Sequence, residues 1–359
     1  MNHEQFRALF PALQTWTWLD TPGCPPAARP VREALLATID DWSSGSFDWT
    51  RWQAATQAAE EALASLLHAD PEHIASTSSL AEAATIVSRS YPGGEILVLE
   101  DEFRSNLLPW VENSHTRVVA RIAPRRTDDL LDAIGPKTKL VTVRHVTTLD
   151  GDEADLSALR HATRDVGAKL FVNATQSLGA LTTAVQNSQA DFIGAHGYKW
   201  LLAPRGAAWL SASAEAAEEL RPAISSWTSG REHTDYFGLL PLEHGAGASN
   251  GSPAWLATAG ALAALKVHSS IAAETVESHV RALARRFREA AQARGWLPSG
   301  PGGSHIEVFN IDDSARIRAA MARHKIRALT GGRYFRVGVH FFNSDRDIDS
   351  VVEALGYPD

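Results

Sequence analysis

Apolar segments alternate with amphipathic segments from about residue 74 to residue 210, and this alternation limits the possible folds more than any other feature. Short apolar runs predict buried strands, and apolar residues spaced three or four apart predict helices. We predict strands at 95–99, 117–122, 139–145, 168–172, 192–195 and 206–210, and helices at 52–68, 80–91, 127–134 and 155–166. Such an alternation favours a mainly parallel sheet covered by helices on both faces.

The C-terminal part of the chain has a different order of elements. Strands are predicted at 294–298, 305–309 and 335–340, with helices at 254–268, 271–294, 313–324 and 345–355. This order predicts an α/β fold with a large domain over residues 1–250 and a smaller α+β domain over 251–359. Residues 1–25 are expected to join the small domain or the entrance of the site. The Gly-, Ser- and Asn-rich stretch 244–253 is the predicted hinge.

Composition narrows the possible partners and compartments. The 359 residues are 44% hydrophobic, which is enough for a large core and about two domains. The net charge of −8 argues against nucleic acid as a partner. A single cysteine, Cys24, rules out an internal disulfide framework and fits a reducing cytoplasm. We see no N-terminal signal region and no apolar run of membrane-spanning length, so no membrane association is expected.

Lys199 is the strongest candidate for a reactive side chain. It lies between the apolar run 191–195 and Trp200-Leu201-Leu202. A lysine held among apolar neighbours loses hydration, which lowers its pKa, and a neutral amine can form a Schiff base with a carbonyl cofactor. An isolated lysine at such a place would more often extend its charged end into solvent. A second segment therefore has to support the functional interpretation.

That second segment is residues 168–179. Leu170-Phe171-Val172 is a short apolar run that predicts a buried strand, and Asn173 and Gln176 follow its end. In open α/β sheets, ligands bind outside the carboxyl ends of the strands. Asn173 and Gln176 are therefore placed where a ligand would bind.

The two segments together resemble the class V aminotransferases, a branch of the fold-type I pyridoxal-phosphate (PLP) enzymes. This branch includes cysteine desulfurases, kynureninases and isopenicillin N epimerase-like proteins. The resemblance covers most of the chain and rests on Asn173-x-x-Gln176, on Lys199-Trp-Leu and on the following Pro204-x-Gly206. It implies the PLP-dependent transferase fold type I, with a mainly parallel sheet of the seven-stranded type. It also implies PLP held as a Schiff base on Lys199, an amino-acid or amine substrate, and a homodimer.

The resemblance also implies the roles of individual residues. The cofactor-binding residues would be Ser79, Leu80, Ala81, Phe103, His145, Asn173, Gln176, His196, Tyr198, Lys199, Gly245 and Ala246, and Arg336 would bind the substrate carboxylate. Lys199 would be the catalytic base, and Gly245 and Ala246 would reach the phosphate of a partner subunit. Several of these residues have ordinary structural explanations when taken alone. Ser79 could be a helix cap, Phe103 a core residue, His145 a structural hydrogen bonder and Arg336 a surface residue of a strand.

Departures from the family pattern leave the reaction open. Asn173 stands where the family has an aspartate facing the pyridine nitrogen, so the charge that favours a protonated ring is missing. Ala81 and Ala246 replace threonines. We therefore expect an aminotransferase-like enzyme, with a lyase or epimerase of secondary metabolism as the alternative. A PLP-binding regulatory partner with weak catalysis is the non-enzymatic alternative. Cys24 lies near the N-terminus, so we do not expect a cysteine desulfurase.

Overall fold

The structure is a computed structural model that describes residues 1–91, 93–114, 118–123, 126–229, 237–238 and 245–358. Its helices are α1 His3–Arg7, α2 Arg29–Ser44, α3 Trp49–Leu67, α4 Leu80–Ser90, α5 Arg104–Ser114, α6 Thr127–Ala133, α7 Leu156–Asp165, α8 Thr182–Asn187, α9 Ala214–Glu219, α10 Trp255–His268, α11 Ala273–Gln292, α12 Ser314–Arg323 and α13 Asp345–Leu355. Three short 3₁₀ helices lie at Pro11–Gln14, Pro71–His73 and Ala246–Ser249.

Seven strands form the central sheet. The strands of the described chain are β1 Thr17–Trp18, β2 Ile74–Thr77, β3 Gly94–Leu99, β4 Val118–Ala123, β5 Thr138–Arg144, β6 Lys169–Asn173, β7 Phe192–His196, β8 Ala208–Ala212, β9 Ile306–Asn310, β10 Ile326–Arg327, β11 Leu329–Gly331 and β12 Tyr334–Gly338. The order in the central sheet is β2-β8-β7-β6-β5-β3-β4. The neighbouring pairs β4–β3, β3–β5, β5–β6 and β6–β7 are parallel, whereas β8 is antiparallel to both of its neighbours, β7 and β2. The predicted mainly parallel sheet is confirmed.

Both faces of this sheet are buried, as the continuous apolar strands predict. Successive side chains of a strand point to opposite faces. In β6, Leu170 and Val172 belong to one apolar cluster, whereas Phe171 belongs to a second cluster with Ile96 and Leu140. The two clusters therefore lie on opposite faces, which is why the strands lack polar alternation.

The N-terminal segment packs with the C-terminal elements. β1 pairs in parallel with β10, and β11-β12-β9 form a three-stranded antiparallel sheet. Arg7 of α1 forms an ion pair of 2.7 Å with Asp347 of α13. The assignment of residues 1–25 to the smaller domain stays a prediction. The domain boundary at residue 250 stays a prediction, and α10 packs against α2 and α3.

Two local predictions are wrong. Residues 294–298 do not form a strand, because Gly295 has a φ of 89° and Trp296 instead donates its Nε1–H to the carbonyl of Gly356 at 2.9 Å. Only Pro298 makes an isolated bridge, to Phe309. Residues 102–110 resemble a loop that lies over the cofactor ring in the class V aminotransferases, but instead of a loop they enter α5 at Arg104, despite the internal Pro109. The predicted hinge begins at residue 244, which lies outside the described residues, so the hinge stays a prediction.

No helix of the described chain is by itself long and apolar enough to cross a bilayer. The pair α10 and α11 would qualify only together, and a bend of 83° separates the two helices.

Candidate active site

A cavity of about 340 Å³ lies at the carboxyl ends of the parallel strands. Phe103 follows β3, Thr147 follows β5, Asn173 ends β6 and Lys199 follows β7. Six of the residues predicted for the site line this cavity, namely Phe103, Asn173, Gln176, Tyr198, Lys199 and Arg336. The sheet topology thus brings together side chains that are far apart in sequence, at the edge where α/β proteins bind ligands.

Lys199 lies in a largely buried environment that lowers the pKa of its amine, as the neighbouring apolar residues in the sequence predicted. Burial, followed by the charges of Arg336 and Arg205, lowers the pKa of its amine to about 8, and the charge of Asp20 opposes this shift. The Nζ atom lies 5.9 Å from the centroid of the Phe103 ring. A pKa near 8 leaves about a tenth of the amine neutral at pH 7, against fewer than about one in a thousand for an exposed lysine. The neutral amine is therefore available near physiological pH.

The amide of Asn173 is held in one orientation by two partners. Its Nδ2–H donates to Glu102 Oε1 at 3.2 Å, and its Oδ1 accepts from the backbone N–H of Thr175 at 3.1 Å. A flipped amide would face a donor with a donor and an acceptor with an acceptor. The amide nitrogen of Asn173 therefore stays on the side of Glu102.

Glu102 is the residue at this site that the sequence analysis missed. Its carboxylate is buried and also accepts from the backbone N–H groups of Phe103 at 2.9 Å and of Arg144 at 2.8 Å. Burial raises the pKa of Glu102, while the charge of Arg144 and the N–H donors oppose this shift. An acidic residue just beyond the end of a parallel strand is the only sequence signal for it.

Gln176 and His196 are both engaged in hydrogen bonds. Gln176 Oε1 accepts from Trp200 Nε1 at 2.9 Å, and its Nε2 donates to the carbonyl of Pro22 at 3.3 Å. His196 Nε2 accepts from the backbone N–H of Leu80, the first residue of α4, at 3.4 Å. Burial, followed by the charges of Lys199 and Arg205, lowers the pKa of His196 to about 4. The ring is therefore neutral, and its other nitrogen carries a proton that can be donated.

Other predicted residues lie outside this cavity in the single chain. Ser79 caps α4 and accepts from the Glu82 N–H, and Ala81 lines a neighbouring cavity with Arg104 and Ser105. His145 is buried, with its Nε2 3.3 Å from Glu153 Oε1. Gly245 precedes the 3₁₀ helix Ala246–Ser249, and Ala246 is fully buried. The cofactor roles of these residues, like those of the residues that line the cavity, stay predictions.

The donor groups in and beside the cavity fit PLP. The amine of Lys199, with its lowered pKa, can take up a carbonyl. His196 and the start of α4 do not line the cavity, but the His196 ring lies 4.9 Å from that of Tyr198, which does, and they offer donors to a phosphate. Arg336 is 7% exposed, and its Nε–H is buried without a hydrogen-bond partner among the described residues. A buried, unsatisfied guanidinium nitrogen is costly, so this group favours a bound anion.

Comparison with known proteins decides the family. The model of the class V aminotransferases matches residues 43–297, which is more than half of the chain. The chain belongs to the class V aminotransferase family. This family consists of PLP-dependent enzymes, so the family, the enzyme class and the cofactor expected from the sequence are confirmed.

Curated relatives match this class V chain over nearly its whole length or over somewhat less than two thirds of it. An uncharacterized aminotransferase, YcbU, of Bacillus subtilis is 28% identical over 99% of the chain and 98% of its own length. The isopenicillin N epimerase of Amycolatopsis lactamdurans is 27% identical over 94% of each chain. A probable cysteine desulfurase of Methanothermobacter thermautotrophicus is 29% identical over 62% of this chain and 59% of its own. The names of these three relatives indicate three different reactions.

Solved structures confirm the fold. The cysteine desulfurase CsdA of Escherichia coli superposes with a TM-score of 0.84 at 24% identity, covering 99% of this chain and 98% of its own. A mutant of C-DES with glycine covalently linked to its PLP cofactor has a TM-score of 0.86 at 20% identity, covering 97% and 98%. The expected PLP-dependent transferase fold type I is therefore confirmed.

Proposed function

We propose that this class V enzyme acts on an amino acid or a related amine, with PLP carried as a Schiff base on Lys199. The observation that supports this most is the amine of Lys199, whose pKa is lowered to about 8 in a cavity that also contains Arg336. When bound, PLP supplies a carbonyl that takes up primary amines and a ring that withdraws electrons from the adjacent carbon.

The chain's own residues would have distinct tasks. Lys199 Nζ accepts a proton from the substrate carbon and returns it, as a general base with a pKa near the working pH. Arg336 orients the carboxylate, and Phe103 covers the cavity at 5.9 Å from Nζ. Asn173 and Gln176 hold the ring, and neutral His196 donates to the phosphate.

The proposed reaction is aminotransferase-like, and a lyase or epimerase reaction is the alternative. Asn173 favours the alternative, because a neutral amide gives less support to a protonated ring than the family's aspartate does. The relative named isopenicillin N epimerase, which matches 94% of this chain, points in the same direction. A regulatory PLP-binding role without catalysis is opposed by the lowered pKa of Lys199 and by the buried Arg336.

Reduction of the purified protein tests the proposed cofactor attachment. We expect a yellow protein whose cofactor is fixed by borohydride on the peptide that contains Lys199. Addition of an amino-acid panel should then shift the visible band for the accepted substrates. A colourless protein that gains no visible band with added PLP would contradict the proposal.

The lowered pKa of Lys199 predicts how cofactor loading depends on pH. Only the neutral amine adds to the carbonyl, and its fraction rises as the pH rises through about 8. The rate of PLP uptake by the cofactor-free protein should therefore rise about tenfold per pH unit below this value and level off above it. Stopped-flow absorbance gives the profile. A rate that still climbs tenfold per unit at pH 10 would show an unperturbed lysine.

Replacing Cys24 with serine is expected to leave activity within about twofold. Cys24 is exposed, and its Sγ donates weakly to the Pro25 carbonyl at 3.6 Å. It is the only cysteine of the chain, and a cysteine desulfurase needs one to take up sulfur. Sulfide release from cysteine that disappears in Cys24→Ser would identify a desulfurase and overturn the expectation.

We propose a cytoplasmic homodimer in which Gly245 and Ala246 approach the cofactor of the partner subunit. Supporting this, neither residue lines the cavity of its own chain, although both were predicted cofactor ligands. The single cysteine supports a reducing compartment. Light scattering should give twice the mass of the chain, and a monomer with full affinity for PLP would exclude the shared site.

A further inference from the structure

Arg336 already has a carboxylate partner from the opposite end of the chain. Its Nη2 lies 3.0 Å from Oδ1 of Asp20, which precedes the loop Thr21-Pro22-Gly23. Arg336 is 7% exposed, and the Asp20 side chain is 29% exposed. Arg336 lines the cavity, and this half-buried ion pair is less screened by solvent than a pair at the surface.

The backbone holds Asp20 in this position. Asp20 makes a parallel bridge with Gly338 of β12, whose N–H donates to the Leu19 carbonyl at 2.8 Å. A Cβ atom on Gly338 would lie 2.3 Å from Pro22 Cδ, so only glycine lets the loop pack against the strand that carries Arg336. A Cβ atom on Gly23 would lie 2.7 Å from Asp20 Oδ2. Glycine at both positions is therefore needed for the Asp20–Arg336 contact.

The charge of Asp20 acts on the reactive end of the cavity. Asp20 raises the pKa of Lys199, whereas Arg336 lowers it, so both charges are felt at Nζ. A ligand carboxylate that reached Arg336 would meet the carboxylate of Asp20 on the same guanidinium. Two like charges that share one cation bind less strongly than one alone.

We propose that Asp20 is a specificity-determining residue that occupies Arg336 and lowers the affinity of the site for substrate carboxylates. A carboxylate ligand must share Arg336 with Asp20 or displace it, whereas an amine without a carboxylate does not. The site thus distinguishes amino acids from simple amines less strongly than an unpaired arginine would. This inference rests on the proposed role of Arg336 as the carboxylate-binding residue.

Asp20→Asn tests the inference in the holoenzyme. Glycine and methylamine are the probes, because glycine carries a carboxylate and methylamine does not. The change in the visible absorbance band of the cofactor reports the binding of each probe. We expect Asp20→Asn to tighten glycine binding by about two- to three-hundredfold, the effect of removing one charge about 5 Å away at an effective dielectric constant of about 20. Methylamine binding should not become tighter. Glycine binding that is unchanged or weaker would overturn the inference and show that Asp20 only orients Arg336.

Gly23→Ala provides a second variant that keeps every charge. Its Cβ would displace the Asp20 carboxylate, so glycine binding should tighten as in Asp20→Asn. Asp312→Asn is the matched control, because it removes the carboxylate of another 3.0 Å arginine pair, Arg333–Asp312, at the exposed surface. We expect no change in glycine binding in this control. A tightening of equal size there would show a general charge effect and overturn the inference.

Calorimetry with propionate and propionamide separates this inference from the proposed function. These probes carry no amine, so their binding does not depend on Schiff-base chemistry. Asp20→Asn should tighten propionate by a similar factor and leave propionamide unchanged, even in a protein that gave no visible band. The absence of a visible cofactor band would then contradict only the proposed function. An affinity for propionate that is unchanged in Asp20→Asn would contradict the proposed role of Asp20.

Discussion

Replacing Lys199 with alanine is expected to lower turnover by about a thousandfold or more. General base catalysis alone contributes about 10²–10⁴-fold, and the variant also loses the amine that carries the cofactor. The side chain lies at the cavity wall, so its loss removes a partly desolvated charge, and the fold should survive. Steady-state turnover of an accepted amine and the visible spectrum give the two readouts. PLP should bind more weakly and should not be fixed to the protein by borohydride.

Lys266→Ala is the matched control for this prediction. Lys266 lies on the exposed side of α10, away from the cavity, and α10 should tolerate alanine well. The control should keep its turnover and its borohydride-fixed cofactor. If Lys199→Ala still turned over substrate within tenfold of the wild type, Lys199 could not be the base.

The sheet was predictable because its strands are continuous apolar runs. The predicted runs at 95–99 and 192–195 became Gly94–Leu99 and Phe192–His196, each lengthened by a residue at one end. A fully buried strand needs apolar residues on both faces, so its sequence is unmistakable. The start of α5 was not predictable in the same way. Its resemblance to a loop of the family led us to expect a loop there, but Pro109 lies at the sixth position of a helix.

The site was only partly predictable from the sequence. Its motifs are short stretches of neighbouring residues, whereas its electrostatics depend on contacts between residues that are distant in sequence. Asn173, Gln176 and Lys199 follow strands and lie near each other in sequence, so a pattern could find them. The partners that set their chemistry come from far away. Glu102 reaches Asn173 across 71 positions, and Asp20 reaches Arg336 across 316 positions. No local pattern can indicate such contacts, since they depend on where the fold places each strand end.

Glu102 changes the expected result of replacing Asn173 with aspartate. An aspartate would place a second carboxylate about 3.2 Å from Glu102 Oε1 in a buried place. Two such carboxylates cannot both be ionised at neutral pH, so the pair would hold a proton and keep a net charge of one. Asn173→Asp alone should therefore change the α-proton exchange of bound alanine by less than about tenfold. Restoring the family's aspartate is not sufficient by itself.

The double variant Glu102→Gln with Asn173→Asp should have the larger effect. The glutamine can donate to Asp at position 173, which then stays ionised and would accept a hydrogen bond from a protonated ring nitrogen, so that the protonated ring is favoured. We expect α-proton exchange about a hundredfold faster than in the wild type, measured as deuterium wash-in at the α-carbon of alanine. One of the two backbone N–H groups bound to Glu102 loses its acceptor, which should cost about 1–3 kcal/mol of stability. Thermal unfolding would report this cost.

Glu102→Gln alone separates the two contributions, because it removes the buried carboxyl group and keeps the amide at position 173. Its exchange rate should stay at or below the wild-type rate, since neither position then carries a carboxyl group that could support a protonated ring. If the wild type exchanged as fast as the double variant, the neutrality of Asn173 would not limit the reaction. If Asn173→Asp alone matched the double variant, Glu102 would not couple to position 173, and the 3.2 Å contact would have no chemical consequence.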